Sequence, residues 1–535
     1  MTEDEVTALM GAPATHGGAE VAVVRTHGAR VFLTGPWAYK VKRAVRYPYL
    51  DFTAATTRRA MLARELELNR PAAPQIYDRL LPLTRERDGR LALDGSGHPE
   101  EWVLRMHRFD ADAQLTRVAA EGRLDAGLAA ALGDVVAGLH RAAQPPDPGR
   151  RVVGAAAVAA VIDGMAVSFA RLAGVLGPDG GAFLGAARAA LARHAGLLDR
   201  RAAQGWVRRC HGDLHLGNLV LVAGRPVPFD ALEFDEALAT TDVLYDLAFL
   251  LMDLDRAGCR EAANIVLNRW LHRMDDPAHL DGLALLPLFV GLRAGIRAMV
   301  AAQTAPGPDA RADARAALAV ARACLAPPSA RLVAVGGLSG SGKSTLAARL
   351  APAIGPAPGA VVLRSDLVRK AMAGVGDTER LPPEAYTRAA SDAVYAELRT
   401  RAGRALAAGH GVVLDAVHLA PAERAAVAGL ARRAGVACRA LWLDTPAERL
   451  LARVAARRGD ASDADTEVVR AQIAAAQAVT DWPHLDGAGT PDTVARAARI
   501  ALGLPEIARP APLHPAVPGD TVPARSGDHT PEEAR

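Results

Sequence analysis

Between residues 20 and 50 the chain alternates apolar and polar side chains in short runs, EVAVVRT, RVFLTG and WAYKVKRAV, separated by Gly-containing turns. Alternation with period two over runs this short predicts strands. Residues 55–70 carry a helical pattern that stops before Pro71, and further strands are predicted around Arg90–Leu93 and Trp102–Met106. From Leu124 the period changes. Ala- and Leu-rich segments recur at helical spacing, broken only by short apolar runs in HGDLHLGNLVLV and PVPFDAL. A small β-rich lobe followed by a larger helical lobe is the expected order.

A different pattern begins after LAPPSA, Leu325–Ala330, which reads as a linker. RLVAVGGLSGSGKSTLAARL is strand, Gly-rich loop and helix, and AVVLRSD, GVVLDAV and RALWLD read as further strands with helices between them. That alternation predicts an α/β unit with a parallel sheet. Thr304–Ala310, TAPGPDA, reads as a loop, and the Pro-rich polar stretch from PEIARP onward as a disordered tail. The expected units are residues 1–326, 327–505 and 506–535.

Composition narrows this picture only slightly. At about 150 residues per domain, 535 residues correspond to three or four units. A net charge of +4 is small for that length and does not point to a nucleic-acid coat protein. Cys210, Cys259, Cys324 and Cys438 form no CxxC pair, which suits free thiols in a reducing compartment. The start has no apolar signal core, and the apolar runs near 247–252 and 283–292 are too short to span a bilayer, so a cytoplasmic protein without a membrane partner is expected. Of 63 basic residues only Lys40, Lys42, Lys343 and Lys370 are lysines. A lysine kept against so strong an arginine bias marks a place where a compact point charge matters.

Candidate chemistry lies first in HGDLHLGNLV, His211–Val220. His211 and His215 could form a metal pair, but Gly212 and Gly217 argue against the helix that would align them, and no third ligand is near. The alternative is H-x-D-x-x-x-x-N, in which the aspartate handles the proton of an acceptor hydroxyl and the asparagine holds Mg²⁺. Asp213 and Asn218 fit, and Asp230 in VPFDALEF supplies the second metal-binding aspartate. With these residues, and with its lobe order, the first half resembles the aminoglycoside phosphotransferase family of protein-kinase-like enzymes. The resemblance implies an α+β bilobal domain. It also implies a D-x-x-x-D pair bracing the loop, Asp242 and Asp246, for which a helix cap and a buried acid are the plain alternative. It further implies a phosphate-binding lysine held by a helix glutamate, Lys40 with Glu65, with Lys42 and Glu67 as alternatives. The strand near EWVLRM would give adenine backbone contacts. One departure stands out: no G-x-G-x-x-G precedes WAYK.

The second candidate site is GGLSGSGKST, which satisfies G-x-x-x-x-G-K-[ST] between a predicted strand and helix. Its backbone N–H groups suit phosphate. Gly337, Ser339, Gly340, Ser341, Gly342, Lys343, Ser344 and Thr345 form the candidate ATP-binding set, with Ser344 also on Mg²⁺. Asp366 in RSDLVRK would take the acceptor proton and Arg369 would hold an acceptor anion. Asp415 ends another strand in a Walker-B-like position and is a candidate substrate-binding residue, and Arg453 and Arg457, with Arg458, read as helix arginines able to close over ATP. D-x-x-R, Asp with PAER, and R-x-x-x-R in this order resemble P-loop kinases of the polynucleotide 5′-kinase and zeta-toxin type.

The two resemblances in sequence are those of bacterial bifunctional proteins with an aminoglycoside phosphotransferase-like part and an ATP-binding kinase-like part. They imply ATP and Mg²⁺ at both sites, a hydroxyl-bearing small-molecule acceptor at the first, and a small molecule or nucleic-acid end at the second. The competing reading makes the first domain a non-catalytic binding module and the second an ATPase switch.

Overall fold

The computed structural model of the chain describes residues 1–505 apart from 27, 48–49, 147–148, 150–152, 305–307 and 477–478. The tail expected at 506–535, and the middle of the loop expected at Thr304–Ala310, lie outside the described residues. That loop's borders are already helical, since one helix runs to Thr304 and the next starts at Pro308.

The first domain opens with a helix, Glu3–Gly11, that the strand pattern did not announce. Its signal is a capping box: Thr2 accepts from the Glu5 N–H while the Glu5 side chain accepts from the Thr2 N–H. Val6 and Met10 of this helix pack on a six-stranded antiparallel sheet. In space the strands run Ala22–Arg25, Ala29–Thr34, Trp37–Lys42, His98–His107, Tyr77–Arg85, Leu91–Leu93. The helix Ala55–Asn69 covers the other face through Leu62, which packs with Tyr77 and Leu104.

The helical lobe follows from Leu115. Val243–Arg256 is its central helix, buried from Val243 through Leu254. Two short antiparallel pairs interrupt the helices: Leu219–Val222 with Arg225–Pro228, and Val207–Arg209 with Thr240–Asp242. The segments 154–171 and 277–303 are long and apolar enough to cross a membrane by length and composition. Two-thirds of the second is buried in the lobe, and the first contributes Ala157, Val158 and Val161 to a cavity wall.

The second domain holds a five-stranded parallel sheet in the order Val361–Arg364, Val412–Asp415, Arg331–Gly337, Ala437–Asp444, His484–Asp486. Val335 lies beside Asp415 and Gly337 beside Leu443, so the Gly-rich loop and Asp415 leave the same, carboxyl edge of the sheet.

The two domains are packed together. Asn268 accepts from the Val362 N–H at 2.7 Å, and Asn264 and Asn268 donate to Ala360 O, so a helix of the first domain covers the edge strand of the second sheet. Arg269 and His272 meet Asp377 at 2.7 and 2.6 Å.

Candidate active sites

Alternation along Trp37–Lys42 puts Lys40 and Lys42 on one face, toward the helix that carries Glu65. Glu65 is fully buried and meets both lysines. Lys40 Nζ lies 2.7 Å from Glu65 Oε1 and 2.7 Å from Asp230 Oδ1. Lys42 Nζ lies 2.8 Å from Glu65 Oε2, as an ion pair rather than an aligned hydrogen bond, and 2.6 Å from Glu233 Oε1. The choice between the two lysines therefore dissolves: one carboxylate holds both. Glu67 is exposed and pairs with Arg64. Glu233 went unnoticed in the sequence, although it stands three residues after Asp230. Burial alone would depress the Lys40 ammonium, but Asp230, Glu65 and Glu233 outweigh it and hold the pKa well above the ordinary lysine value.

The loop His211–Asn218 is pinned from beneath. Gly212 has φ +83°, and a Cβ there would meet Leu232 Cβ at 3.0 Å. Its N–H donates to Asp246 at 2.8 Å, and Asp246 also accepts from His140 Nε2 at 3.1 Å. Asp253, two helical turns on, accepts from the Leu216 N–H at 3.0 Å. The pair that braces the loop is thus Asp246 and Asp253. Asp242 instead accepts a fork of bonds from Arg201 at 2.7 and 2.8 Å and caps the helix through the Leu244 N–H. It is the helix cap and buried acid, and the seven-residue spacing of 246 and 253 was the signal for the true partner.

The histidines do separate jobs. His211 Nε2 donates to Phe229 O at 3.0 Å, and burial lowers its pKa. His215 Nδ1 accepts from the Gly217 N–H, while its Nε2 lies 3.5 Å from Asp213. Among the described residues the group of potential metal ligands within reach of one another is His140, Cys210 and Asp246. Both His140 nitrogens are already engaged there, by Asp246 and by the Trp270 indole.

Asp213, 42% exposed, opens into a cavity of about 840 Å³ between the lobes, lined also by Lys40, Glu65, Asn218 and Asp230. Its carboxylate accepts from Asn218 Nδ2 at 3.0 Å. Burial would raise its pKa, but His215 facing the carboxylate and the charge of Arg297 outweigh that and hold it well below the usual carboxylate range. Asp230 sits at φ +60°, rare for a residue with a Cβ. Tyr77 Oη accepts its N–H at 2.9 Å and Asn69 accepts that of Ala231, which holds this backbone in place. Val24, Leu33, Ala38 and Met106 give the cavity an apolar slot under the sheet. Arg293 and Arg297, which no motif flagged, line it as well.

In the second domain the loop backbone is shaped by Gly337, Gly340 and Gly342, all at positive φ. A Cβ on Gly340 would meet Leu450 O at 2.8 Å. Lys343 Nζ donates to Leu338 O at 2.9 Å, and burial lowers its pKa against the pull of Asp415 and Asp366. Among the described residues Ser341 Oγ is buried without a partner, and Ser339 N–H donates to Gln472 at 2.9 Å. Ser344 and Thr345 stand in the first turn of the helix Lys343–Leu350, Thr345 exposed. Asp415 is buried, pairs with Arg364 at 3.4 Å, and burial raises its pKa. Asp366 stands in the first turn of Ser365–Ala373, two residues past the end of the strand at whose carboxyl end it was expected.

The arginines divide. Arg453 is spent on backbone, reaching Ser341 O at 3.2 Å and Gly487 O at 3.1 Å. Arg457 is not in a helix: the helix ends at Ala456, Arg457 is its extended cap, Arg458 lies beyond it, and Gly459 at φ +63° turns the chain away. Among the described residues one terminal nitrogen of Arg457 is buried without a partner, and its charge acts on Lys343. Arg369 bonds Ala385 O and Ser391 Oγ and stacks on Tyr386.

A bilobal domain with a pinned His-Gly-Asp loop, joined to a P-loop domain, defines the class of protein. The family model described as an AAA domain matches residues 332–481, the P-loop part. The chain belongs to the family of the uncharacterized protein Rv2004c of Mycobacterium tuberculosis, 32% identical over 491 residues that cover 88% of this chain and 93% of that one. The uncharacterized protein Mb2027c of Mycobacterium bovis matches to the same extent. Solved structures similar to the chain include a choline/ethanolamine kinase family protein from Mesorhizobium loti, 16% identical, covering 61% of this chain and 95% of that one, with a TM-score of 0.37. Another is the APS kinase CysC of Mycobacterium tuberculosis, 23% identical, covering 33% and 99%, with a TM-score of 0.25.

Proposed function

We propose that the chain is a cytoplasmic ATP-dependent phosphotransferase with two sites, one in residues 1–326 and one in 327–505. Each moves the γ-phosphate of ATP to a hydroxyl: of a small molecule at the first site, and of a small molecule or nucleic-acid end at the second. The observation that carries this is the meeting, on one cavity, of Lys40 paired to both Glu65 and Asp230 with Asp213 and Asn218. A plain binding module has no need of an open carboxylate beside such a lysine.

At the first site Lys40, aimed by Glu65, binds nucleotide phosphates. The acceptor hydroxyl donates a hydrogen bond to Asp213. Its oxygen forms the new bond to the γ-phosphorus while the bond to the β,γ-bridging oxygen breaks. ADP leaves with that electron pair, and the hydroxyl proton passes to Asp213. Asp213 thus both orients the hydroxyl and receives its proton. The carboxylate of Asp230 and amide oxygen of Asn218, and Ser344 at the second site, are donors that fit Mg²⁺, which when bound neutralises phosphate charge.

At the second site the loop N–H groups and Lys343 hold the phosphates and Asp366 takes the acceptor proton. Arg457 is the arginine free to meet ATP, whereas Arg453 supports the loop. Asp415, buried beside Arg364 at its strand end, is the second residue placed to meet the acceptor. Arg369 positions the acceptor segment. Four free thiols agree with a reducing compartment.

The test is a screen of the full chain with labelled ATP against alcohols, nucleosides and nucleic-acid ends, run beside Asp213→Asn and Lys343→Ala. Each variant is expected to remove one set of products. Turnover that survives both changes together would sink the reading.

A further inference from the structure

We propose that the first-site acceptor carries an anionic group, a carboxylate or phosphate, and that Arg293 and Arg297 hold it. This rests on the phosphotransfer reading of the same cavity. The two arginines are one helical turn apart in Leu286–Thr304 and both line the cavity that Asp213 opens into. Arg293 is 7% exposed, yet among the described residues neither guanidinium meets a carboxylate within ion-pair distance. Arg293 has only two long contacts, to Tyr245 O at 3.5 Å and Gly212 O at 3.4 Å. The rest of its environment is the rings of Tyr245 and Phe249, 4.1 and 4.6 Å from the guanidinium. Arg297 stacks on Phe249 at 5.1 Å, and its Nε is buried without a partner among the described residues.

Asp246 and Asp253 balance part of this charge from a distance, but a guanidinium with so few close partners leaves room for a ligand to complete it. The planar fork of a guanidinium matches carboxylate and phosphate oxygens two at a time. The same observations argue against a cationic acceptor. Aromatic faces are where a bound cation would rest, and those of Tyr245 and Phe249 already carry guanidiniums. The cavity acids are also committed: Glu65 and Asp230 face lysines, and Asp213 lies beside His215 and under the charge of Arg297.

The experiment uses the full chain carrying Lys343→Ala, which silences the second site, with labelled ATP and matched acceptors. One arm holds small hydroxy acids, a second arm phosphate monoesters of polyols, and a third the corresponding hydroxy-amines and quaternary ammonium alcohols. Transfer to a member of an anionic arm is expected, and which arm responds identifies carboxylate or phosphate. Arg297→Met should raise the acceptor KM about 10- to 100-fold, the worth of a charge-assisted bond. It should leave the affinity for AMP-PNP within about twofold. Arg297→Lys should recover part of the loss. Arg293→Met is the second variant, and if it fails to fold, Arg297 decides alone. Transfer confined to the cationic arm, or an anionic KM indifferent to Arg297, overturns the proposal. So does an AMP-PNP affinity that falls as far as in Lys40→Ala, because the arginines would then serve the nucleotide. If calorimetry shows Arg297-dependent binding of an anionic acceptor but no arm is phosphorylated, the phosphotransfer reading fails and the anion site stands.

Discussion

Lys40 is held by carboxylates from 25 and 190 residues away in the chain, Glu65 and Asp230. Lys343 is held by the carbonyl oxygen of Leu338, five residues before it. Both are proposed to meet phosphate, but their surroundings push in opposite directions. Acids raise the pKa of the first, and burial lowers that of the second. The first site assembles its charge from distant side chains and must keep a network of buried acids and bases balanced. The second relies on backbone N–H groups and one lysine, all within a single loop. A site of the second kind is robust because its geometry is local; one of the first kind exists only when the whole domain is folded.

The largest effects should separate proton handling from phosphate binding. Asp213→Asn and Asp366→Asn should each slow transfer at their own site by about 10²- to 10⁴-fold with little change in ATP affinity. Equal losses of affinity and rate in Asp366→Asn would make it a metal or structural residue. Lys343→Ala should cost about 10²- to 10³-fold in transfer and weaken ATP binding together with it. Arginine at 343 should not restore either, because its fork does not fit a loop built around an ammonium. Calorimetry beside initial rates distinguishes these cases.

Stability should break the comparison next. Glu65→Gln leaves two buried lysines short of charge and should destabilise the first domain by about 3–5 kcal/mol in a denaturant titration. A cost near zero would mean that Lys40 and Lys42 are satisfied by Asp230 and Glu233 alone. The alkaline pH dependence of ATP binding should also differ. A triphosphate favours the ammonium form, so affinity is full below the free-site lysine pKa and declines as pH rises through it. Since the Lys343 pKa is lowered and that of Lys40 raised, the second site should weaken first as pH increases. Titration of Lys40→Ala and Lys343→Ala proteins checks the order, and reversal would count against the lysine assignments. The smallest effect belongs to Glu67→Gln, an exposed change expected within about 0.5 kcal/mol.

The expectation that rare lysines mark special places holds for all four in a structural sense. Lys370, which no motif explained, is 1% exposed and pairs with Asp463 at 3.0 Å. It ties the helix after the second strand to the segment that follows Arg457. Composition could point to these residues but not to their partners, because an ion pair across 93 positions leaves no local trace.

By itself the sequence determined whatever depends on near neighbours along the chain. Periodicity set the two lobes and the parallel sheet. Glycine positions set the phosphate loop, and the spacing of Asp213, Asn218 and Asp230 set the candidate chemistry of the first site. Tertiary structure alone decided which distant groups meet. It joined Glu65 to both lysines and added Glu233. It made Asp253, not Asp242, the second brace of the loop, and turned Arg293 and Arg297 into the cavity. It also seated the first domain on the edge strand of the second, through Asn264 and Asn268. The physical reason is range. Backbone conformation and side-chain period are set within a turn or a few residues, whereas a buried charge or an uncovered strand edge is satisfied by whichever group the fold brings within about 3 Å.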